Sequence, residues 1–211
     1  GTSGHDIAQD LYSSGAGVTL VQRSSTMIVN VEPSAQLPYA LYSEGPPLED
    51  CDLITTSIPL SLARKSHILL TEQARNMDRP LLDALERMGF KLDFGDDGTG
   101  WQFKYLTRGG GYYFNVGCSD LIAKREIGLV QFSDLGEFVA EGARLRTGET
   151  LAAELIDHGD RHPGRDARQV ALRREDQQHR GPEAEAASER PEASAHRGAE
   201  LSARGAADRP S

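Results

Sequence analysis

The chain opens Gly1-Thr2-Ser3-Gly4, and Arg23-Ser24-Ser25 follows some way on. A G-x-x-G ahead of a helix is the second half of a G-x-G-x-x-G dinucleotide fingerprint. Gly1 would be the middle glycine, where the backbone lets a pyrophosphate approach. Gly4 would be the third, where a helix packs against a strand. Thr2 and Ser3 lie between them, and the helix start supplies free N–H groups and a partial positive charge. Arg23 stands where an NAD enzyme carries an acidic residue for the ribose 2′-OH, about 20 residues on. A guanidinium followed by two hydroxyls suits a 2′-phosphate instead, which points to NADP(H). Taken singly, G-x-x-G is a weak signal that is more often just a cap and turn, and Arg23 reads equally well as a solvated strand-end cation. The strand and first glycine of the full fingerprint are not in the chain, and with Gly1 rather than Met at the start a lost N-terminus is expected.

Other chemistry-bearing residues read more plainly. His5 is expected on the surface of the first helical turn, and His67 in a helix with no second ligand in register. His158 and His162 have i,i+4 spacing but lie in a compositionally aberrant region. Cys118 reads as a small buried residue. Tyr112, Tyr113, Phe114 and Trp101 read as packing, with a place on the cofactor face as the alternative. Asp96 and Asp97 read as turn residues, and Arg64-Lys65 as a solvated helix face. No Ser–His–Asp arrangement or metal set can be argued, so the catalytic residues are unknown.

The elements that must position these residues follow from periodicity. Ile7, Ala8 and Leu11 make a helical stripe over Gly4–Ser14, and Val18–Val21 is a β-branched run suited to a strand buried on both faces. Residues 30–50 hold four prolines and read as a long irregular loop. Thr56 or Ser57 is expected to cap a helix that runs to about Met77. Asp78 would cap a second one, with Pro80 in its first turn and Gly89 at its end. Phe90–Phe94 alternates like a strand, 96–100 is a turn, and 109–111 is a glycine loop. A short helix is expected over Cys118–Arg125, and strands over Ile127–Phe132, Glu137–Ala140 and Thr150–Ile156, with a turn at Arg144–Gly148. This order predicts an α/β fold: a partial Rossmann-like, doubly wound, three-layer domain on a parallel sheet.

Composition divides the chain near residue 156. Residues 1–156 hold every aromatic residue, Ile, Met, Lys, Thr, Asn and Cys. Residues 157–211 hold eleven Ala and ten Arg but only two Leu and one Val. The latter cannot bury enough apolar surface to offset chain entropy, so a disordered tail with almost no contact to the core is expected. A net charge of −9 and a pI near 5.2 argue against nucleic acid as partner. No apolar run approaches the roughly 20 residues of a membrane span. Two distant cysteines fit a reducing compartment, taken as cytoplasmic.

G-T-S-G-H-D-I-A-Q-D-L-Y followed by V-T-L-V-Q-R-S-S resembles the NADPH-binding segment of flavin-containing monooxygenases. G-G-G-Y-Y-F-N-V-G-C-S-D-L-I at 109–122 resembles a later stretch of the same domain. The resemblance covers residues 1–156. It implies a fragment of an enzyme that holds FAD in one Rossmann domain and NADPH in a domain inserted within it. In such an enzyme NADPH reduces the flavin, and a flavin hydroperoxide passes one oxygen to a soft N or S nucleophile of a small-molecule substrate. Carried over by position, Gly1, Thr2, Ser3 and Gly4 would meet the pyrophosphate, and Arg23, Ser24 and Ser25 the 2′-phosphate. The flavin fingerprint is absent, so the chain alone is expected to have no oxygenase activity. A Baeyer–Villiger-type flavoenzyme and a non-catalytic Rossmann-derived binding module are the alternatives.

The family's inserted domain runs back to the flavin domain through a segment like M-A-T-G. Here Asp157-His158-Gly159-Asp160-Arg161 stands in its place. Codons for these five residues, read one nucleotide later, can spell x-Met-Ala-Thr-Gly. The composition changes at the same point, so a frameshift near residue 156 is expected, with a natural disordered tail as the alternative.

Overall fold

A computed structural model of the chain describes residues 1–157 and 170–174. Its elements run α1 (Thr2–Ser13), β1 (Gly17–Gln22), β2 (Met27–Asn30), a 3-10 turn (Ser34–Tyr39), α2 (Ala40–Glu44), α3 (Leu48–Ser57), α4 (Leu60–Met77), α5 (Arg79–Arg87), α6 (Gly100–Arg108), β3 (Tyr112–Asn115), α7 (Cys118–Ala123), β4 (Gly128–Gln131), β5 (Leu135–Val139), β6 (Gly142–Leu145), β7 (Thr150–Ala152), β8 (Leu155–Asp157) and β9 (Val170–Arg174). Helices and strands are interspersed, a mixed α/β arrangement.

The strands form three sheets, ordered β4-β1-β9-β8, β2-β3 and β5-β6-β7. β1 runs parallel to β4, with Leu20 opposite Leu129, and β2 runs parallel to β3, with Ile28 opposite Tyr113. The expected single parallel sheet is therefore corrected. The sheet that holds Val18–Val21 is mixed, because β9 lies antiparallel along the other flank of β1. The expectation that residues 160–211 stay off the core is corrected at Val170–Arg174, which pairs with both β1 and β8. A buried strand cannot leave one row of N–H and C=O groups unpaired, and this segment's backbone satisfies them. The remainder of the expected disordered tail lies outside the described residues.

Alternation along β1 distributes its side chains between two cores. Val18 and Leu20 pack with Ala8, Leu85, Phe90, Tyr113, Ile122 and Ile127 in the core that holds α1. Val21 faces the other way, against Leu135, Ala143 and Leu151 of the β5-β6-β7 sheet. The second cover of β1 is thus a small antiparallel sheet rather than helices. The β2-β3 ribbon divides in the same manner. Ile28 and Tyr113 join the α1 core, while Met27 and Val29 join a third core with Ala74 of α4, flanked by Tyr112, Phe114 and Trp101.

Residues 30–50 are not the irregular loop expected from their prolines. Pro38 sits inside the 3-10 turn, and Pro47 is the N-cap of α3, a place where its missing N–H costs nothing. Thr56 and Ser57 close α3 instead of capping the next helix. Their hydroxyls donate back to Asp52 and Ile54 carbonyls, and Pro59 stands at the cap of α4. Phe90–Phe94 forms no strand, only a parallel bridge from Leu92 to Thr26. Arg144 lies in β6, not in a turn.

Candidate functional site

Backbone donors at the start of α1 are left open. Gly1 is the N-cap, and its carbonyl accepts the first helical bond, from His5 N–H at 3.3 Å. The N–H groups of Thr2, Ser3 and Gly4 precede that bond and have no partner within the helix. No side chain caps α1 and its first turn carries no acid. The start of α6 differs. There Asp97 accepts from the Thr99 N–H at 3.2 Å and hydroxyl at 2.6 Å and pairs with Arg64, so a carboxylate already holds that position. Of these two glycine-opened helices, only α1 is electrostatically ready for an anion. The Thr2 hydroxyl donates to the Tyr112 carbonyl at 3.3 Å, tying this start to β3. Gly4 is buried and Ser3 exposed.

Contrary to expectation, His5 is not on the surface. It is 1% exposed, stacked on Tyr113 at 4.2 Å with the Phe90 ring edge-on at 5.9 Å. Its Nδ1 lies 2.9 Å from the Gly1 carbonyl. A carbonyl only accepts, so Nδ1 carries the proton and Nε2 is a bare acceptor, without a partner among the described residues. Burial, followed by the neighbouring Gly1 ammonium, pushes the imidazole down to about 3, so the ring is neutral at pH 7.

Arg23 and Ser24 come to the same place. Gly1, His5, Gln22, Arg23 and Ser24 line one recess of about 20 Å³, room for a water-sized group. Arg23 and Ser24 are exposed and make no side-chain hydrogen bond among the described residues. The turn that carries them is held at both ends by Lys91. The Gln22 amide donates to the Lys91 carbonyl at 2.9 Å and accepts from its N–H at 2.8 Å, and the Thr26 N–H shares that carbonyl at 3.0 Å. Gln131 donates to the same Gln22 oxygen at 2.8 Å. Ser25 faces elsewhere, its hydroxyl donating to Asp93 at 3.3 Å.

No protein-family model matches the chain, and no curated protein matches it either.

The other candidates fall outside this recess. His67 packs edge-on against Phe103 at 5.4 Å, and half-burial lowers its pKa. Cys118 is fully buried, and burial raises its thiol to about 12. Trp101, Tyr112 and Phe114 form an aromatic cluster on the side of β2-β3 away from α1. Asp96 pairs with Arg108; Arg64, read as solvated, pairs with Asp97 and lies 5.2 Å from the Phe103 ring centre. His158 and His162 lie outside the described residues. Among the described residues, no group of three His, Cys, Asp or Glu side chains could hold a metal, and no helix is long and apolar enough to cross a membrane.

Sequence reading missed one buried polar cluster. Asp78 stands at the N-cap of α5 as expected, but its side chain is 4% exposed and makes no cap bond. It accepts from Asn30 N–H at 2.9 Å, Asn30 Nδ2 at 2.8 Å and the Ser34 hydroxyl at 2.7 Å. Asn115 donates to Asn30 Oδ1 and Asp120, and accepts from the N–H groups of Gly117 and Ser119. The cluster fastens the C-terminal ends of β2 and β3 and the start of α7.

Proposed function

We propose that residues 1–156 are the NADP(H)-binding portion of a FAD- and NADPH-dependent flavin monooxygenase, a Rossmann-like unit from a cytoplasmic enzyme. The parent would transfer one oxygen of O₂ to a soft N or S nucleophile of a small-molecule substrate. The supporting observation is the shared recess: the open N-terminus of α1 and the Arg23-Ser24 turn line it together, although a whole helix and strand separate them in sequence.

In this reading the N–H groups of Thr2, Ser3 and Gly4 hold the pyrophosphate, and Gly1 lets it come close. Arg23 takes the 2′-phosphate with paired N–H donors, and Ser24 adds a hydroxyl. Ser25 contributes only by turning away from Asp93. Gln22 and Thr26 hold the turn in position through Lys91. NADPH, when bound, supplies the hydride that reduces a flavin. FAD is assigned to another part of the parent. No G-x-G-x-x-G stands in this sequence to hold its pyrophosphate.

Calorimetric titration of the 211-residue chain with NADPH and NADH tests this. Arg23→Ala should weaken NADPH by about 1.5–3 kcal/mol and leave NADH little changed, the signature of a lost charged hydrogen bond. Equal losses for both cofactors would make Arg23 a support of the fold and overturn the reading. The coding DNA upstream tests the flavin half: an in-frame G-x-G-x-x-G is expected there.

A further inference from the structure

Ser25 leads from the Arg23-Ser24 turn to a buried ion pair. Its hydroxyl donates to Asp93 Oδ2 at 3.3 Å, and Lys104 Nζ reaches the same oxygen at 2.6 Å. Asp93 Oδ1 accepts the Gly95 N–H at 2.8 Å. The Lys104 side chain is 5% exposed and that of Asp93 22%. Lys104 comes from α6. It arrives beside Gly111, where a Cβ would stand 3.5 Å from Nζ.

An acidic side chain this close to an adenosine subsite is chemically ambivalent. Left with its charge, it accepts a hydrogen bond from a ribose 2′-OH and repels a 2′-phosphate, as in NAD-selective sites. Balanced by a buried ammonium, it no longer repels a 2′-phosphate, and its oxygens are already engaged by Lys104, Ser25 and Gly95. Burial alone would raise the Asp93 carboxyl. The bonds from Lys104, Gly95 and Ser25 outweigh it and hold the group below its ordinary range, so Asp93 is ionised and, among the described residues, its charge is matched by Lys104.

We propose that Lys104 is a specificity-determining residue of the nucleotide site: by cancelling the charge of Asp93 it keeps the Arg23-Ser24-Ser25 turn receptive to a 2′-phosphate and closes it to the 2′-OH mode. The inference rests on the NADP(H) reading and adds to it a residue from a distant helix that never touches the ligand. Lys104 acts through Asp93, as a positioning and charge-balancing group.

The test is the ratio of affinities of the full chain for 2′,5′-ADP and 5′-AMP, by calorimetry. The wild type should favour 2′,5′-ADP. Lys104→Met should cut that preference about tenfold, the scale of one uncompensated charge near a phosphate, through 2′,5′-ADP and not through 5′-AMP. Lys104→Met with Asp93→Asn should restore it, which a merely structural role for Lys104 would not do. Lys104→Gln, which keeps a donor to Asp93 but no charge, should cut it likewise and decides the matter if Lys104→Met fails to fold. An unchanged ratio in Lys104→Gln, or parallel losses for both ligands in Lys104→Met, would overturn the proposal. A wild type that does not distinguish the two ligands would overturn the cofactor reading and this inference with it, so the two failures are separable.

Discussion

His5 shows how a single side chain links the start of α1 to the stability of the molecule. The neutral ring is held between Gly1, Tyr113 and Phe90, and protonating it would leave a charge in an apolar setting. Its folded pKa, about 3, lies below the ordinary value of 6.5. Between those limits the unfolded chain binds more protons than the folded one, so the stability contributed by neutral His5 is complete above pH 6.5 and is lost as pH falls toward 3. His5→Phe keeps the ring packing and removes the titration. Urea unfolding at pH 7, 6, 5 and 4 should show a shallower fall for the variant, by up to about 1.4 kcal/mol per pH unit. Identical slopes would mean that His5 charges freely in the fold. Asp78 makes the opposite kind of contribution. Asp78→Ala would leave two Asn30 donors and the Ser34 hydroxyl unpaired, at a cost of about 3–5 kcal/mol in chemical denaturation. Asp78→Asn, which keeps an acceptor, should lose less than half of that.

The contact between α4 and α6 sets where Lys104 arrives. Gly100, the first residue of α6, has φ +73°, and a Cβ there would fall 2.2 Å from Thr71 Oγ1. Gly100→Ala should therefore cost about 1–3 kcal/mol in thermal or urea unfolding. Thr71→Ala should recover part of it by removing the hydroxyl, but not the part owed to the backbone angle. A loss of additivity between the two substitutions is the expected signature. Elements of this kind were only partly legible in the sequence. α1, β1 and α7 could be read because a local apolar pattern decides them. β2 could not, since Met27–Asn30 has only four residues and is held by β3, far along the chain. α2 and α3 were hidden by prolines that occupy positions helices and their approaches accept. In the site, Gly1 and Arg23 were visible through spacing. The burial of His5, the Lys91 anchorage of Gln22 and the Asp93–Lys104 pair depend on non-local packing that no short-range pattern encodes.

At the scale of the whole chain, the sheet is closed by a strand from beyond the composition change. A chain ending at Asp157 would keep β8 but lose β9, and with it the partner along one flank of β1. Compared with a chain ending at Gln178, it should melt several degrees lower, roughly 4–8 °C for about 2 kcal/mol, and should associate more readily through the bared edge. Matching melting curves and monodisperse scattering for both would remove β9 from the stabilising structure. The same arrangement has a consequence during synthesis. Val21 leaves the ribosome about 150 residues before its partner Val170, an interval on the order of ten seconds at ordinary elongation rates. Throughout that time α1 can fold back on β1, and later β4 can pair with it, but the opposite flank stays bare. Nascent chains on one polysome carry the same bare flank side by side, so a holding chaperone, or crowding by neighbouring copies, would act on this protein before β9 has been made.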